Sequence, residues 1–234
     1  MRLLYLIAIG LILSGCNLNS IEIKGTAQGM DGGIVTITGA SGKTYFKEVI
    51  KSGHFLIPQQ PVSAYGYFTL SILSGDISRD YEVYLEAGQY AIEIPQKENE
   101  YLKIKTDSKT QIQLSDYYNL ENREANKYRQ EDAMWNAKLK DPKVESLSDE
   151  EFKVITDHIA AGKARQHGLT IAILDMFIKK HPQTDIIPHI IGNMDYQADP
   201  EPFYLLFKKL SPEVQNSKEG KELGMELQQL SSKK

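Results

Sequence analysis

The sequence predicts an α+β protein, with an N-terminal antiparallel β-sandwich followed by a C-terminal antiparallel helical bundle. Two observations predict it. From residue 20 to about 114, short alternating apolar and polar runs recur between glycine-rich turns. From 115 onward the glycines thin out and apolar residues recur at three- and four-residue spacing. With 41% hydrophobic and 25% charged residues, the chain has the composition of a globular protein rather than a disordered one.

The first segment, MRLLYLIAIGLILSGC, has Arg2 as a positive start and an apolar run over 3–13, with small residues before Cys16. The run is too short for a spanning helix of roughly 20 residues and has the proportions of a cleavable signal. Leu13-Ser14-Gly15-Cys16 resembles the lipobox of bacterial lipoproteins, in which the cysteine is diacylated and becomes the first residue. Residues 1–15 are then a signal peptide, and 16–20 a lipidated Cys16 with a short tether. One acyl chain holds a protein only marginally and two hold it stably, at about 0.8 kcal/mol per buried methylene. Asn17-Leu18-Asn19-Ser20 resembles neither an aspartate-marked inner-membrane retention signal nor an acidic surface-export tag. The expected location is therefore the cell envelope, lipid-anchored to the outer membrane and facing the periplasm.

The sandwich is expected over 21–114. Ile21 and Ile23 alternate with Glu22 and Lys24, and Gly25 ends the run. Met30-Asp31-Gly32-Gly33 turns into a strand over 34–38, and glycines 39 and 42 frame the next turn into 44–50. Ser52-Gly53 makes a tight return into 54–57, where Pro58 is expected to stop the strand. Further strands are predicted over 65–73, 80–85 and 89–94, with a weaker run over 101–105. Such lengths and spacings fit an antiparallel sandwich, and the β-branched and aromatic residues suit half-buried pleated surfaces.

The helical region is expected over 115–234. A long polar helix is predicted from Asp116 to about Lys140. Ser148-Asp149-Glu150-Glu151 reads as a capping box that starts a helix running to about Gln166, with Gly168 as an interruption. Beyond it, Leu169, Ala172, Ile173, Met176 and Phe177 share a stripe that Pro182 terminates. A short apolar helix over 185–193 contains Pro188. Asp199-Pro200-Glu201 reads as a cap, a first-turn proline and an acid at the positive helix end. Phe203, Leu206, Phe207 and Leu210 form the buried face that follows, and a last helix spans about 217–230.

Few chemistries are supported. A net charge of −4 without a basic cluster argues against nucleic-acid binding. Cys16 is the single cysteine, so acylation leaves no thiol for a disulfide or for redox work. Gly39-Ala40-Ser41-Gly42-Lys43-Thr44 lacks the first glycine of a phosphate loop, since Ile37 stands there, and a strand rather than a helix follows. It reads as a β-turn. The five histidines include no i, i+4 pair and no His-Glu-x-x-His, so no metal site is predicted. There is no Gly-x-Ser-x-Gly elbow, and Glu82 and Glu86, which flank Tyr84, read as an exposed strand face. No catalytic residue and no cofactor is predicted.

Thirteen tyrosines are present, several of them in the sheet region. Tyr65, Tyr67 and Tyr84 are the candidate ligand-binding residues, because a tyrosine face offers apolar area with a polar tip. The alternative is that tyrosine is simply a good strand residue.

Asp31-Gly32-Gly33-Ile34-Val35-Thr36-Ile37, Lys51-Ser52-Gly53-His54-Phe55-Leu56-Ile57 and Tyr84-Leu85-Glu86-Ala87-Gly88-Gln89-Tyr90 resemble the strand motifs of a domain of unknown function. That domain precedes thioredoxin-like modules, of the alkyl hydroperoxide reductase and thiol-specific antioxidant type, in bacterial envelope lipoproteins. Phe177-Ile178-Lys179-Lys180-His181-Pro182 and Leu210-Ser211-Pro212-Glu213-Val214-Gln215-Asn216-Ser217 resemble the helical linker of the same proteins. The similarity covers about 21–230 and rests on turn and packing residues. No Cys-x-x-Cys occurs in this sequence, so the family's oxidoreductase activity passes to no residue here.

The expected function is thus a non-catalytic, membrane-tethered module that binds an envelope protein. The rivals are an accessory half that works in trans with a separate thioredoxin-like protein, and a glycan-binding lipoprotein.

Overall fold

The computed structural model describes residues 19–61 and 64–232. The predicted signal and Cys16 lie outside the described residues.

Eight strands come first: β1 (Ser20–Thr26), β2 (Ile34–Gly39), β3 (Thr44–Val49), β4 (His54–Pro61), β5 (Gly66–Ser74), β6 (Ile77–Leu85), β7 (Gly88–Glu93) and β8 (Lys103–Lys105). They form two sheets, ordered β4-β1-β7-β8 and β3-β2-β5-β6. The helices follow, so the fold is α+β in the predicted order. They are α1 (Lys109–Ala125), α2 (Arg129–Lys140), a 3₁₀ turn (Pro142–Ser146), α3 (Asp149–Lys180), α4 (Ile186–Gly192), α5 (Pro200–Phe207), α6 (Pro212–Gln215) and α7 (Lys218–Ser231).

The alternation seen in the sequence is what builds the sandwich. Ile21, Ile23, Val35, Ile37, Leu70 and Ile72 point inward with at most 1% of their surface exposed, while their neighbours face out. A second core gathers Leu114, Tyr117, Leu174, Phe177, Ile187 and Phe203 among the helices. The two cores meet across the outer face of β5 and β6. Tyr67 and Tyr84 pack on the helical core from that face, and Tyr118 of α1 touches both cores.

One strand pair departs from the antiparallel expectation, because β1 and β7 run parallel, with Ile21 opposite Gly88 and Thr26 opposite Glu93. β6 ends at the strand end where β1 begins, and the chain crosses there into the other sheet. β7 therefore starts beside the start of β1 and must run the same way. Pro58 does not stop its strand, which continues to Pro61. β4 is an edge strand, and the register slips opposite Glu22 between the Ile21–Gln60 and Ile23–Ile57 pairs. A proline at an edge bulge forfeits no ladder hydrogen bond.

The helices also differ from expectation at four places. α1 starts at Lys109, six residues before the predicted boundary at 114/115, with Ser108 as its cap accepting from Gln111 N. Its buried face includes Gln111 and Ser115, both polar, which hid the period. The long polar helix is two helices, broken around Asn126 and Tyr128. Gly168 interrupts nothing, since α3 runs unbroken for 32 residues. The capping box is formed as predicted: Ser148 Oγ accepts from Glu151 N, and the Glu151 carboxylate accepts from Ser148 N. α5 begins at Pro200 as predicted, but Asp199 makes no side-chain cap; its carboxylate lies 3.3 Å from His167 Nε2.

Candidate interaction site

The structure brings Tyr67 and Tyr84 together and leaves Tyr65 apart. Tyr67 and Tyr84 are cross-strand partners on β5 and β6, with ring centroids 5.1 Å apart and edge-on. Both are half-buried beneath the helices. Tyr67 stacks flat on the His189 ring of α4 at 3.3 Å, with 2° between planes. Tyr65 is half exposed, and its hydroxyl donates to Asn19 Oδ1 at 3.2 Å, next to the start of β1.

His189 belongs to a polar network centred on Glu82 of β6. Its Nε2 lies 2.8 Å from Glu82 Oε1, and Tyr118 donates to Glu82 Oε2 at 2.7 Å. Asn193 Nδ2 stands 3.0 Å from the same His189 nitrogen. Burial pushes the Glu82 carboxyl up, but the hydrogen bonds from His189 and Tyr118 outweigh it and hold the carboxyl below its usual range. Burial, reinforced by nearby carboxylates, raises the Tyr67 and Tyr118 hydroxyls, and Tyr118 stays protonated as the donor to Glu82. Beside this network Gln111, fully buried, accepts from Tyr84 N at 2.6 Å and donates to Ser115 Oγ at 2.9 Å. It satisfies a backbone donor on the edge of the sheet, fastening α1 to β6. Tyr67 and Tyr84 therefore serve the joint between sheet and helices.

A different region is left open. α2 packs on α3 and the 3₁₀ turn, buries no residue of its own, and forms with the N-terminal half of α3 a helical arm. Gly162 lets the two helices close up, since a Cβ there would stand 2.9 Å from Asp132 Oδ1. Arg165 secures the base, with Nη1 3.0 Å from Glu131 Oε2 and Nη2 2.6 Å from Asp132 Oδ1, and its guanidinium 4.6 Å above the Tyr128 ring. Further out, Trp135 stacks on His158 at 3.8 Å, and Lys138 Nζ lies 4.0 Å over the indole.

Near the tip these helices enclose a cleft of about 430 Å³. Its walls are Trp135, Val144, Leu147, Val154 and Ile155, with Lys138, Lys143, Asp141 and Glu151 at the rim. Val154 is 47% exposed there, and Met134 and Phe152, elsewhere on the same two helices, are 46% and 44% exposed. An aromatic and aliphatic floor with a charged rim is the pattern of a protein-binding surface. The sequence signal was present in Trp135, Val144 and Val154. Only the pairing of α2 with α3 shows that they converge.

A wider groove of about 730 Å³ lies between the outer face of β1, β7 and β8 and one side of α1. Its charges are of both signs, and Lys103 is already paired with Glu93 at 2.5 Å. Among the described residues no group of three or more His, Cys, Asp or Glu side chains could hold a metal ion, and no helix is long and apolar enough to cross a membrane.

The chain matches no protein-family model, no curated protein and no solved structure.

Proposed function

We propose that this chain is a non-catalytic, lipid-anchored envelope lipoprotein that binds another envelope protein through its helical arm. The observation that carries the reading is the arm itself. Its helices hold each other through a thin seam, yet apolar side chains stand half exposed beside a cleft at the tip. A 12-residue helix without buried residues is marginal on its own, so the arm gains most from being covered. The non-catalytic part is supported by the engagement of Glu82 and His189, whose polar atoms are used in joining β6 to α4. The anchor is supported by the lipobox-like sequence ending at Cys16.

Two experiments test the proposal. Cys16→Ser releases the protein from the membrane fraction and abolishes acylation; continued membrane association without acyl chains would refute the anchor. A photo-crosslinker placed at Phe152 in intact envelopes captures a defined partner, and Val154→Asp, on an exposed position, abolishes that capture. Equal capture by the Val154→Asp protein and by a probe on the open sheet face at Leu56 would refute binding by the arm.

A further inference from the structure

We infer that the strand end carrying Tyr65 rests on the lipid surface, with Tyr65 at headgroup level and the arm pointing away from the bilayer. The inference rests on the lipid anchor proposed above.

Strand register defines that end. Ser20 pairs with Pro61, Ile21 with Gly88, and Gly66 with Leu85, so the start of β1, the end of β4, the start of β5 and the β6–β7 turn lie together. Gly39 pairs with Phe68, which places the β2–β3 turn and its exposed Lys43 at the same end. The exit point of the tether is pinned there: Tyr65 donates to Asn19 Oδ1 at 3.2 Å, and Gln59 Nε2 donates to Ser20 Oγ at 2.8 Å.

The tether sets the distance. Cys16 and Asn19 are three residues apart, and covalent geometry allows them at most roughly 11 Å. An acylated Cys16 has its chains in the hydrocarbon region, so Asn19 stays at or near headgroup level. Tyr65, bonded to Asn19 and 50% exposed, cannot stand far from it. A phenol ring with an apolar body and a polar tip is the side chain that favours this boundary. Lys43 adds a cation facing anionic headgroups. The tether thus singles out a lipid surface as the occupant of this end.

The other end follows from the helices. α1 begins beside Tyr84, at the tether end, and Tyr118, further along it, reaches Glu82. At the opposite end Arg129 Nη1 donates to Asn99 O, in the loop between β7 and β8. α3 pairs in turn with α1, through Phe177 and Tyr117, and with α2, through His158 and Trp135. At 1.5 Å per residue those two levels of α3 are about 28 Å apart. Trp135 is therefore carried far from the tether, together with the cleft beside it.

Trp135 is the single tryptophan of the chain and serves as the internal control. The acylated protein is reconstituted in phosphatidylethanolamine–phosphatidylglycerol vesicles containing a headgroup spin-labelled quencher, and flotation and mass spectrometry establish anchoring. The native protein reports from Trp135, and the Tyr65→Trp, Trp135→Phe protein reports from the tether end. The expected result is quenching of at least about twofold for the second protein and almost none for the first. Flotation without quenching at position 65, or with equal quenching at both positions, overturns the orientation and leaves the anchor standing. A protein that carries no acyl chain and does not float overturns the anchor, and the orientation falls with it.

Discussion

The sandwich and the arm spend their apolar residues differently. In the sandwich alternate residues of β1, β2, β5 and β6 are shut between two sheets, and side chains such as Ile21, Ile37 and Leu70 have no exposed surface. In the arm, α2 buries nothing, and the N-terminal half of α3 buries only Ile155 and Gly162. The same α3 helix then enters the body and buries Ile173, Leu174, Phe177 and Ile178. Helix length and capping are shared by the two halves of α3; the number of neighbours is not. Stability is therefore expected to be uneven along one continuous helix, highest where it is surrounded and lowest where a single partner covers it.

The sharpest way to break the contrast is at the buried end. Phe177→Ala should cost about 3–5 kcal/mol, because the ring is 2% exposed and meets Tyr117 and His181. Denaturant unfolding checks it; a loss below about 1 kcal/mol would mean that the site collapses around the gap. Next comes the joint between sheet and helices. Glu82→Gln should cost about 1–3 kcal/mol, as the amide removes the charge and keeps one accepting oxygen where His189 and Tyr118 use two.

That joint also sets a pH dependence. The carboxyl of Glu82 lies below its ordinary value of 4.5 in the folded protein, so its contribution is complete above that value. It fades as the pH falls through the lower folded value. Acid unfolding of the Glu82→Gln protein should accordingly have a shallower acid limb than that of the native chain. An identical limb would show that the carboxylate is not stabilised by its partners.

Two smaller changes sharpen the comparison from the side of the arm. Ser148→Ala removes the reciprocal cap and should cost about 1 kcal/mol. It should speed amide exchange over residues 149–165 while the exchange of the sandwich strands stays unchanged; acceleration in both would mean that arm and body unfold as one unit. Gly168→Ala acts in the opposite direction. A Cβ there meets nothing within 4 Å, so the helix should gain about 0.5–1 kcal/mol. Exchange in the arm should slow, and unaltered exchange would place the weak point elsewhere, at the break between α1 and α2.

Much of this was legible in single residues. The strands of the sandwich followed from alternation and glycine turns because both faces of each strand are decided locally. Ser148 and Glu151 announced a helix start because the cap is made within four residues. Three features were not legible for reasons of the same kind. The buried face of α1 is partly polar, so Gln111 and Ser115 look like surface residues until Tyr84 and Tyr101 are placed against them. Gly168 weakens local helix propensity, but packing of residues 169–178 on the body continues the helix through it. Tyr65, Tyr67 and Tyr84 are singled out together by the sequence, but only Tyr67 and Tyr84 pair, and the imidazole that covers Tyr67 comes from a residue more than a hundred positions away.

By itself the sequence determined the order of strands before helices, the alternation of Ile21 and Ile23 with Glu22 and Lys24, and the capping box at Ser148, since these depend on spacings of two to four residues. It also supplied the lipobox-like stretch on which the anchor proposal rests. Tertiary structure alone decided that β7 lies parallel to β1, that Glu82 meets His189 and Tyr118, and that Trp135, Val144 and Val154 surround one cleft. The reason is physical: those pairings join residues distant in the chain, and no local rule fixes which two surfaces meet once each has an apolar side to hide.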